Sequence, residues 1–305
     1  MFLFLRARLD PMNVSIHAVE RVTDANRIFG ASAIRELALG DPPSALAAIW
    51  EDYSRSYSDD SPASVRSVLE WAQRILAKKY QTEYYYKSIL LKKLVLGVHS
   101  PKTLAVFSEF KIGRCRADLV LVNGLGTVYE VKTGLDDLNR ASRQVKEYYK
   151  CFSQVVFVVD ARHVGKAIEI LPQSVGISCI TNRQQLKVLR PYKKEISFLS
   201  SKAMFSCLRR REYEEILGEL SPSIDLANYR EVLNCVDRID AGAMQDAFTK
   251  ILRRRGLSSP RLGDIPQLPP SLLPAAYLYK MSRREWAGLI NVLDRDMADV
   301  LERSF

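Results

Sequence analysis

Residues 116–132 read RADLVLVNGLGTVYEVK. A run rich in Val and Leu, Arg116 to Val122, and a strand-like segment, Thr127 to Lys132, flank Asn123-Gly124 and Gly126. Branched apolar residues on both sides of a glycine turn predict a β-hairpin. Strand side chains alternate between faces, so Glu130 and Lys132 emerge together and Val131 points the other way. If the strands pair symmetrically about Gly124, through a three- or five-residue loop, Asp118 lies opposite Glu130 on the same face. A slip of one residue would separate them, so the arrangement depends on register.

Outward from this hairpin the periodicity is mixed. Upstream, Asp24 to Leu39 carries a helical apolar pattern, Gly40-Asp41-Pro42-Pro43 breaks it, and Ser44 to Tyr53 resumes it. Ser64 is an N-cap candidate for a further helix, and another spans about Thr82 to Leu96, closed by Gly97 and Pro101. Thr103 to Ile112 contains an alternating segment. Downstream, Asp136 or Asp137 can cap a helix reaching about Cys151. Gln154 to Asp160 is a continuous apolar run of the buried-strand type, and Lys166 to Leu171 reads as a short helix. Val175 to Ile180 and Leu186 to Leu189 read as strands around Asn182-Arg183. From about Lys202 the pattern is helical, interrupted by a Pro-rich break at Ser258 to Pro274. The last helix carries the stripe Trp286, Leu289, Ile290, Leu293, Met297, Val300 and Leu301, a pattern of core or partner packing. The order predicts an α/β fold, a mixed sheet flanked by helices. Its parts are an N-terminal helical segment (1–63), a core (64–195) and a C-terminal helical region (196–305).

Composition sets outer limits. The 305-residue chain carries 45 Lys+Arg against 35 Asp+Glu, a formal charge of +10, which suits a polyanionic partner. The basic residues are dispersed, with short clusters that include Arg209-Arg210-Arg211 and Arg253-Arg254-Arg255. Five cysteines without a CxxC pair argue against a disulfide framework, a zinc ribbon or an iron–sulfur cluster. With three scattered histidines, any metal site must rest on carboxylates. The apolar start is too short for a signal-peptide core, and no stretch approaches the roughly 20 apolar residues of a membrane span. A cytoplasmic protein is expected.

A cluster of Asp118, Glu130 and Lys132 has defined chemical uses. Paired carboxylates bind Mg²⁺ or Mn²⁺ through oxygen and leave room for substrate phosphate. A nearby ammonium can orient water or stabilise charge building on phosphorus. The same three side chains on a half-exposed hairpin can also form a solvated ion-pair face of little energetic value.

The element order, with Asp118 and Glu130-Val131-Lys132, resembles the PD-(D/E)xK nuclease superfamily, the fold of restriction endonucleases. The helix after the ExK strand carries Gln144 and Tyr148, whose i, i+4 spacing puts them on one face. That pair is similar to the Q-xxx-Y motif of RecB-like exonucleases, where it shapes the active site and contacts nucleic acid. The superfamily commonly supplies a further carboxylate from the helix before the sheet, which makes Glu83 the candidate. Glu83 is equally placed to pair with Lys87, and Glu109 on the first strand competes for the role. Ala117 stands where the family name has Pro, a change to backbone rather than chemistry. The resemblance covers roughly residues 80–190. Beyond it, the motifs E-Y-x-Y-K, R-A-D, Y-E-V-K and Q-xxx-Y resemble those of a bacterial group within the superfamily that has no established activity.

The resemblance implies a Mg²⁺- or Mn²⁺-dependent nuclease acting on DNA in preference to RNA, in restriction, repair or defence against mobile DNA. Asp118, Glu130 and Glu83 would hold the metal, Lys132 would position water, and Gln144 with Tyr148 would support the site. Arg114, Arg116, Arg140 and Arg143 could meet flanking phosphates, and Tyr84-Tyr85-Tyr86 could offer one or two stacking faces. The alternative is a nuclease fold without turnover, serving as a nucleic-acid-binding or protein-interaction module. In that case the C-terminal helices could engage a homo-oligomer or another protein.

Overall fold

The computed structural model describes residues 18–57, 63–79, 82–96, 103–181, 185–257 and 267–302. The apolar runs form one six-stranded sheet whose spatial order follows the chain. Its strands are β1 (Ala105–Ile112), β2 (Cys115–Asn123), β3 (Leu125–Lys132), β4 (Gln154–Val159), β5 (Gly176–Ile180) and β6 (Leu186–Arg190). β1 to β3 form an antiparallel meander, β3 to β5 run parallel, and β6 returns antiparallel. This is the mixed α/β sheet expected from the alternation of periodicities.

Helices cover both faces. Five precede the sheet: α1 (Ala18–Arg27), α2 (Ala31–Leu39), α3 (Ser44–Ser56), α4 (Val65–Lys79) and α5 (Glu83–Leu91). α6 (Ala141–Tyr149) and α7 (Val164–Ile170) join the parallel strands. Then follow α8 (Ser201–Ser206), α9 (Arg210–Leu220), α10 (Tyr229–Val236), α11 (Ala241–Leu257), α12 (Leu273–Leu278), α13 (Arg283–Leu293) and α14 (Met297–Glu302). One core packs Leu119, Leu121, Val131, Val156 and Val158 against side chains of α1 to α5 and of α12 to α14. The other packs Val120, Val122, Val128, Phe157 and Val159 against α6 and α8 to α11. The region after residue 196, expected as one helical unit, therefore divides between the two faces. Each fully buried Leu or Val adds about 1.5–3 kcal/mol of transfer free energy, so both layers are strongly specified.

Several boundaries differ from the sequence expectation. Asp24 to Leu39 is two helices, because the chain turns at Phe29-Gly30 before α2. The helix expected from Asp136 starts at Ala141, since the Asp136 carboxylate is drawn back by the Thr133 N–H at 2.8 Å and hydroxyl at 2.7 Å. The segment 82–96 is α-helical to Leu91 and then widens into a π turn. The closing Gly97 and Pro101, and the Asn182-Arg183 turn, lie outside the described residues. The last helix is split into α13 and α14. Its backbone leaves the helix to pair with the start of α4, with Val65 N–H donating to Arg295 O at 3.1 Å and Met297 N–H to Ala63 O at 2.9 Å. Trp286, Leu289, Leu293, Met297 and Val300 are buried in the first core, so the stripe is spent inside the chain.

One irregularity positions the site. On β2, Cys115 and Ala117 join the second core but Leu119 and Leu121 join the first, although all four have the same parity. On β1, Val106 joins the first core and Phe110 the second. Both strands thus exchange faces midway. The exchange falls between the paired residues Ser108↔Leu119 and Phe110↔Ala117, which bracket Glu109 and Asp118. Glu109 has φ of 52°, a left-handed conformation that breaks the strand's alternation.

Candidate metal centre

The β2–β3 hairpin turns symmetrically about Gly124, whose φ of 84° suits a residue without Cβ, and its pairing runs from Asn123↔Leu125 to Leu119↔Tyr129. One further step brings Asp118 opposite Glu130, as the symmetric reading requires. There the ladder ends. The Val131 N–H donates to the Asp118 Oδ2 at 2.7 Å instead of to a backbone carbonyl, and the two strands part into a fork. Carboxylates from both strands stand at its mouth.

On one side of the fork Asp118 meets α5. Thr82 caps that helix, accepting from the Tyr85 N–H at 3.3 Å, and so fixes its first turn. Glu83 and Lys87 follow one turn apart. The Lys87 ammonium, buried with its residue 5% exposed, donates to Glu109 Oε1 at 2.7 Å, contacts Glu83, and lies 3.7 Å from Asp118 Oδ1. Carboxylate oxygens of Glu83, Glu109 and Asp118 lie within 4.8 Å of one another. The competition between Glu83 and Glu109 ends with both in the cluster, because the left-handed Glu109 sits beside Asp118. Burial, reinforced by the charge of Glu130, pushes the Asp118 carboxyl up to about 7, against the opposing pull of Lys87. Burial alone would lower the Lys87 pKa. The charges of Asp118 and Glu83, with hydrogen bonds to Glu109 and Glu83, outweigh it and raise the ammonium above its ordinary value.

On the other side Glu130 is 2% exposed and held by three donors. Lys132 Nζ reaches its Oε1 at 2.8 Å, the Gln144 amide meets the same oxygen, and the Tyr148 hydroxyl donates to Oε2 at 2.7 Å. The Tyr148 hydroxyl also lies 3.0 Å from the Arg116 carbonyl, which ties α6 to β2. Burial, with the charge of Glu130 behind it, raises the Tyr148 pKa, so the group stays a neutral donor. The expected helical pair Gln144 and Tyr148 therefore does converge on the ExK carboxylate. A carboxylate offers about four lone-pair positions, so three donors leave room for one more partner. The buried Gln144 Oε1 has no hydrogen-bond partner.

Not every expected residue lies in this cluster. Glu130 is outside the Glu83–Glu109–Asp118 set, although its charge reaches Asp118. Tyr84, Tyr85 and Tyr86 are all buried, so they pack the first core and offer no stacking face. Arg114, Arg116, Arg140 and Arg143 are exposed. Sequence reading treated Lys87 as a simple i, i+4 partner and missed its central place. Its signal was a lone charge inside the apolar run Tyr84 to Leu91. The Tyr86 hydroxyl bond to Asp160 Oδ2 at 3.0 Å, joining α5 to the end of β4, was also missed.

The donor set is all carboxylate oxygen, the kind that suits Mg²⁺ or Mn²⁺. The cage already holds a cation, the Lys87 ammonium, whose single positive charge offsets only part of the charge of its three carboxylates. A divalent ion would share or replace that charge.

A family model described as bacteriophage P4 protein cII matches residues 77–261. The chain belongs to that family. The matched segment of this P4 cII family member includes Glu83, Lys87, Glu109, Asp118, Glu130, Lys132, Gln144, Tyr148 and both arginine triplets. Among solved structures, a protein of unknown function from Silicibacter pomeroyi is similar at 17% identity and a TM-score of 0.27, covering 41% of this chain and 85% of that one. No curated protein matches. No helix among the described residues is long and apolar enough to cross a membrane.

Proposed function

We propose that this P4 cII family member is a Mg²⁺- or Mn²⁺-dependent nuclease that hydrolyses phosphodiester bonds in DNA. The observation that carries this reading is the fork itself, where Asp118, Glu83 and Glu109 gather within 4.8 Å beside the held Glu130–Lys132 pair. Asp118, Glu83 and Glu109 would hold the ion, with Glu130 adjoining. A divalent ion there would lower the pKa of water and neutralise charge building on the scissile phosphate. Lys132, held at 2.8 Å by Glu130, can orient the attacking water or donate to a phosphoryl oxygen. Gln144 and Tyr148 fix the Glu130 carboxylate from α6, and the orphaned Gln144 Oε1 can accept a hydrogen bond from water in the site. A setting in restriction, repair or defence against mobile DNA fits this chemistry and the bacteriophage origin of the family's namesake.

Incubation of supercoiled, linear and single-stranded DNA and RNA with and without Mg²⁺ or Mn²⁺ tests the proposal. Metal-dependent cleavage lost in Asp118→Ala, Glu130→Ala and Lys132→Ala, with folding retained, is expected. Absence of cleavage of every substrate would sink it.

The seated ammonium of Lys87 favours a second reading, a nuclease fold that keeps a structural ion pair in place of a metal and serves as a binding module. Calorimetric titration with Mn²⁺ separates the two. The nuclease reading expects binding in wild type that Asp118→Ala removes, and the second expects none.

A further inference from the structure

The two arginine triplets flagged in the sequence are distant along the chain, yet α9 and the end of α11 bring them together. Arg209, Arg210, Arg211, Arg254 and Arg255 line one depression. Three carboxylates partly neutralise it through Arg210–Glu214, Arg254–Glu215 and Arg255–Glu212 ion pairs, and the surplus remains positive. Lys250, Arg253 and Arg254 line a neighbouring depression beside Gly124. On the other side, Arg209 and Arg255 also border a groove of about 800 Å³ along the open side of edge strand β1. That groove runs between β1 and the residues that end α12, is lined by Lys111, Lys280, Phe107 and Tyr279, and contains Glu109. Glu109 is a member of the acidic cluster, and Tyr279 lies close enough to Lys87 and Glu83 to feel their charges. Arg209 and Arg255 thus border both the arginine depression and the groove, and Glu109 belongs to both the groove and the acidic cluster.

We propose that this groove binds a single polynucleotide strand, with its phosphates on the arginine surface of α9 and α11, and leads it along β1 to Glu109. The proposal rests on the nuclease reading of the fork and adds the route by which substrate reaches it. Charge complementarity selects the occupant. Clustered guanidinium and ammonium groups neutralise phosphates and release counterions. Half-buried aromatic walls at Phe107 and Tyr279 give unpaired bases a surface to stack on, which bases held in a duplex cannot use. An acidic peptide would meet the same charges, but it has no bases to stack on Phe107 and Tyr279 and no phosphodiester for the fork to act on.

The test measures binding of a fluorescent single-stranded oligonucleotide, and of the matching duplex, by anisotropy in EDTA across a salt series. Wild type is compared with a Lys111→Ala/Arg209→Ala/Arg211→Ala/Lys280→Ala variant, which leaves the three ion pairs intact. We expect the wild type to prefer the single strand and the variant to bind at least tenfold more weakly. The variant's salt slope should be shallower by about 2–3, since each single-strand phosphate contact contributes about 0.7. If that variant fails to fold, Lys111→Glu/Lys280→Glu at two exposed positions provides the same comparison. Equal binding by wild type and variant, or a preference for duplex, overturns the proposal. If the variant binds and cuts as wild type while Glu130→Ala cuts nothing, the groove is wrong and the nuclease reading stands. If the groove variants lose binding but wild type cuts nothing with any divalent metal, the groove stands and the nuclease reading falls.

Discussion

Asp118 concentrates the cost of building the fork. Its carboxyl is desolvated and faces Glu130, and it titrates at about 7 in the folded chain against an ordinary value of 3.8. An acid with a raised folded pKa binds its proton more tightly when folded than when unfolded. Below about 4 both states are protonated and the group is neutral to stability. Between about 4 and 7 the unfolded chain sheds the proton while the folded chain keeps it, so stability falls as pH rises, and above 7 the loss is constant. Lys87 does not confuse this window, because its raised pKa affects stability only in the alkaline range. The metal-free protein should therefore lose thermal stability between pH 4 and 7, and Asp118→Asn should flatten that part of the profile. Melting curves across the range check this, and an unchanged slope in the variant refutes it. A divalent ion needs the ionised carboxylate, so Mn²⁺ affinity should weaken as pH falls below about 7.

At the scale of elements, local periodicity and tertiary packing reveal different things. The β2–β3 hairpin, its symmetry about Gly124 and the shared helical face of Gln144 and Tyr148 were legible, because each depends on spacing within one or two adjacent elements, whereas the place of that face at the site came from the resemblance alone. The partnership of Glu83 with Glu109 was not legible. It depends on a left-handed residue inside a strand and on the face exchange opposite Asp118, which no alternation pattern announces. The meeting of the two arginine triplets also depends on how α9 packs on α11. Packing of α11 against β1 is close enough to test directly. A Cβ at Gly256 would lie 2.3 Å from the Ala105 Cβ and 3.0 Å from its Cα, so backbone would have to move. Gly256→Ala should destabilise the protein by about 1–3 kcal/mol, overpacking outweighing the gain in helix propensity. Because Arg255 and Gly256 border the groove along β1, the same change should weaken oligonucleotide binding. Urea unfolding checks the first effect, and a neutral or stabilising result would show that α11 can shift away from the strand freely.

The whole molecule depends on its last helices as much as on its sheet. The first core draws α1 to α5 together with Leu272, Leu273, Trp286, Leu289 and Leu293, so residues near both ends of the described chain share one interior. α13 lies so near α2 that a Cβ at Gly288 would stand 2.1 Å from the Ala38 carbonyl oxygen, and the Arg66–Asp294 pair and the Ser64–Asp296 bridge lock the following turn onto α4. The same core holds α5, and α5 carries Glu83 and Lys87 to the fork. Loss of the C-terminal packing should therefore loosen the cluster from a distance. Trp286, 1% exposed, is the largest side chain in that interface. Trp286→Ala should cost about 3–5 kcal/mol and reduce Mn²⁺ affinity in the folded fraction, although Trp286 is not among the residues of the acidic cluster. A chain ended after Leu257 should expose Leu272's former neighbours and fail to fold cooperatively, even though it keeps most of the segment matched by the family model. Calorimetric unfolding of that shortened chain decides the matter. A single sharp transition with Mn²⁺ binding intact would mean that the sheet and its second core fold without the terminal helices, and that the fork is held by the meander alone.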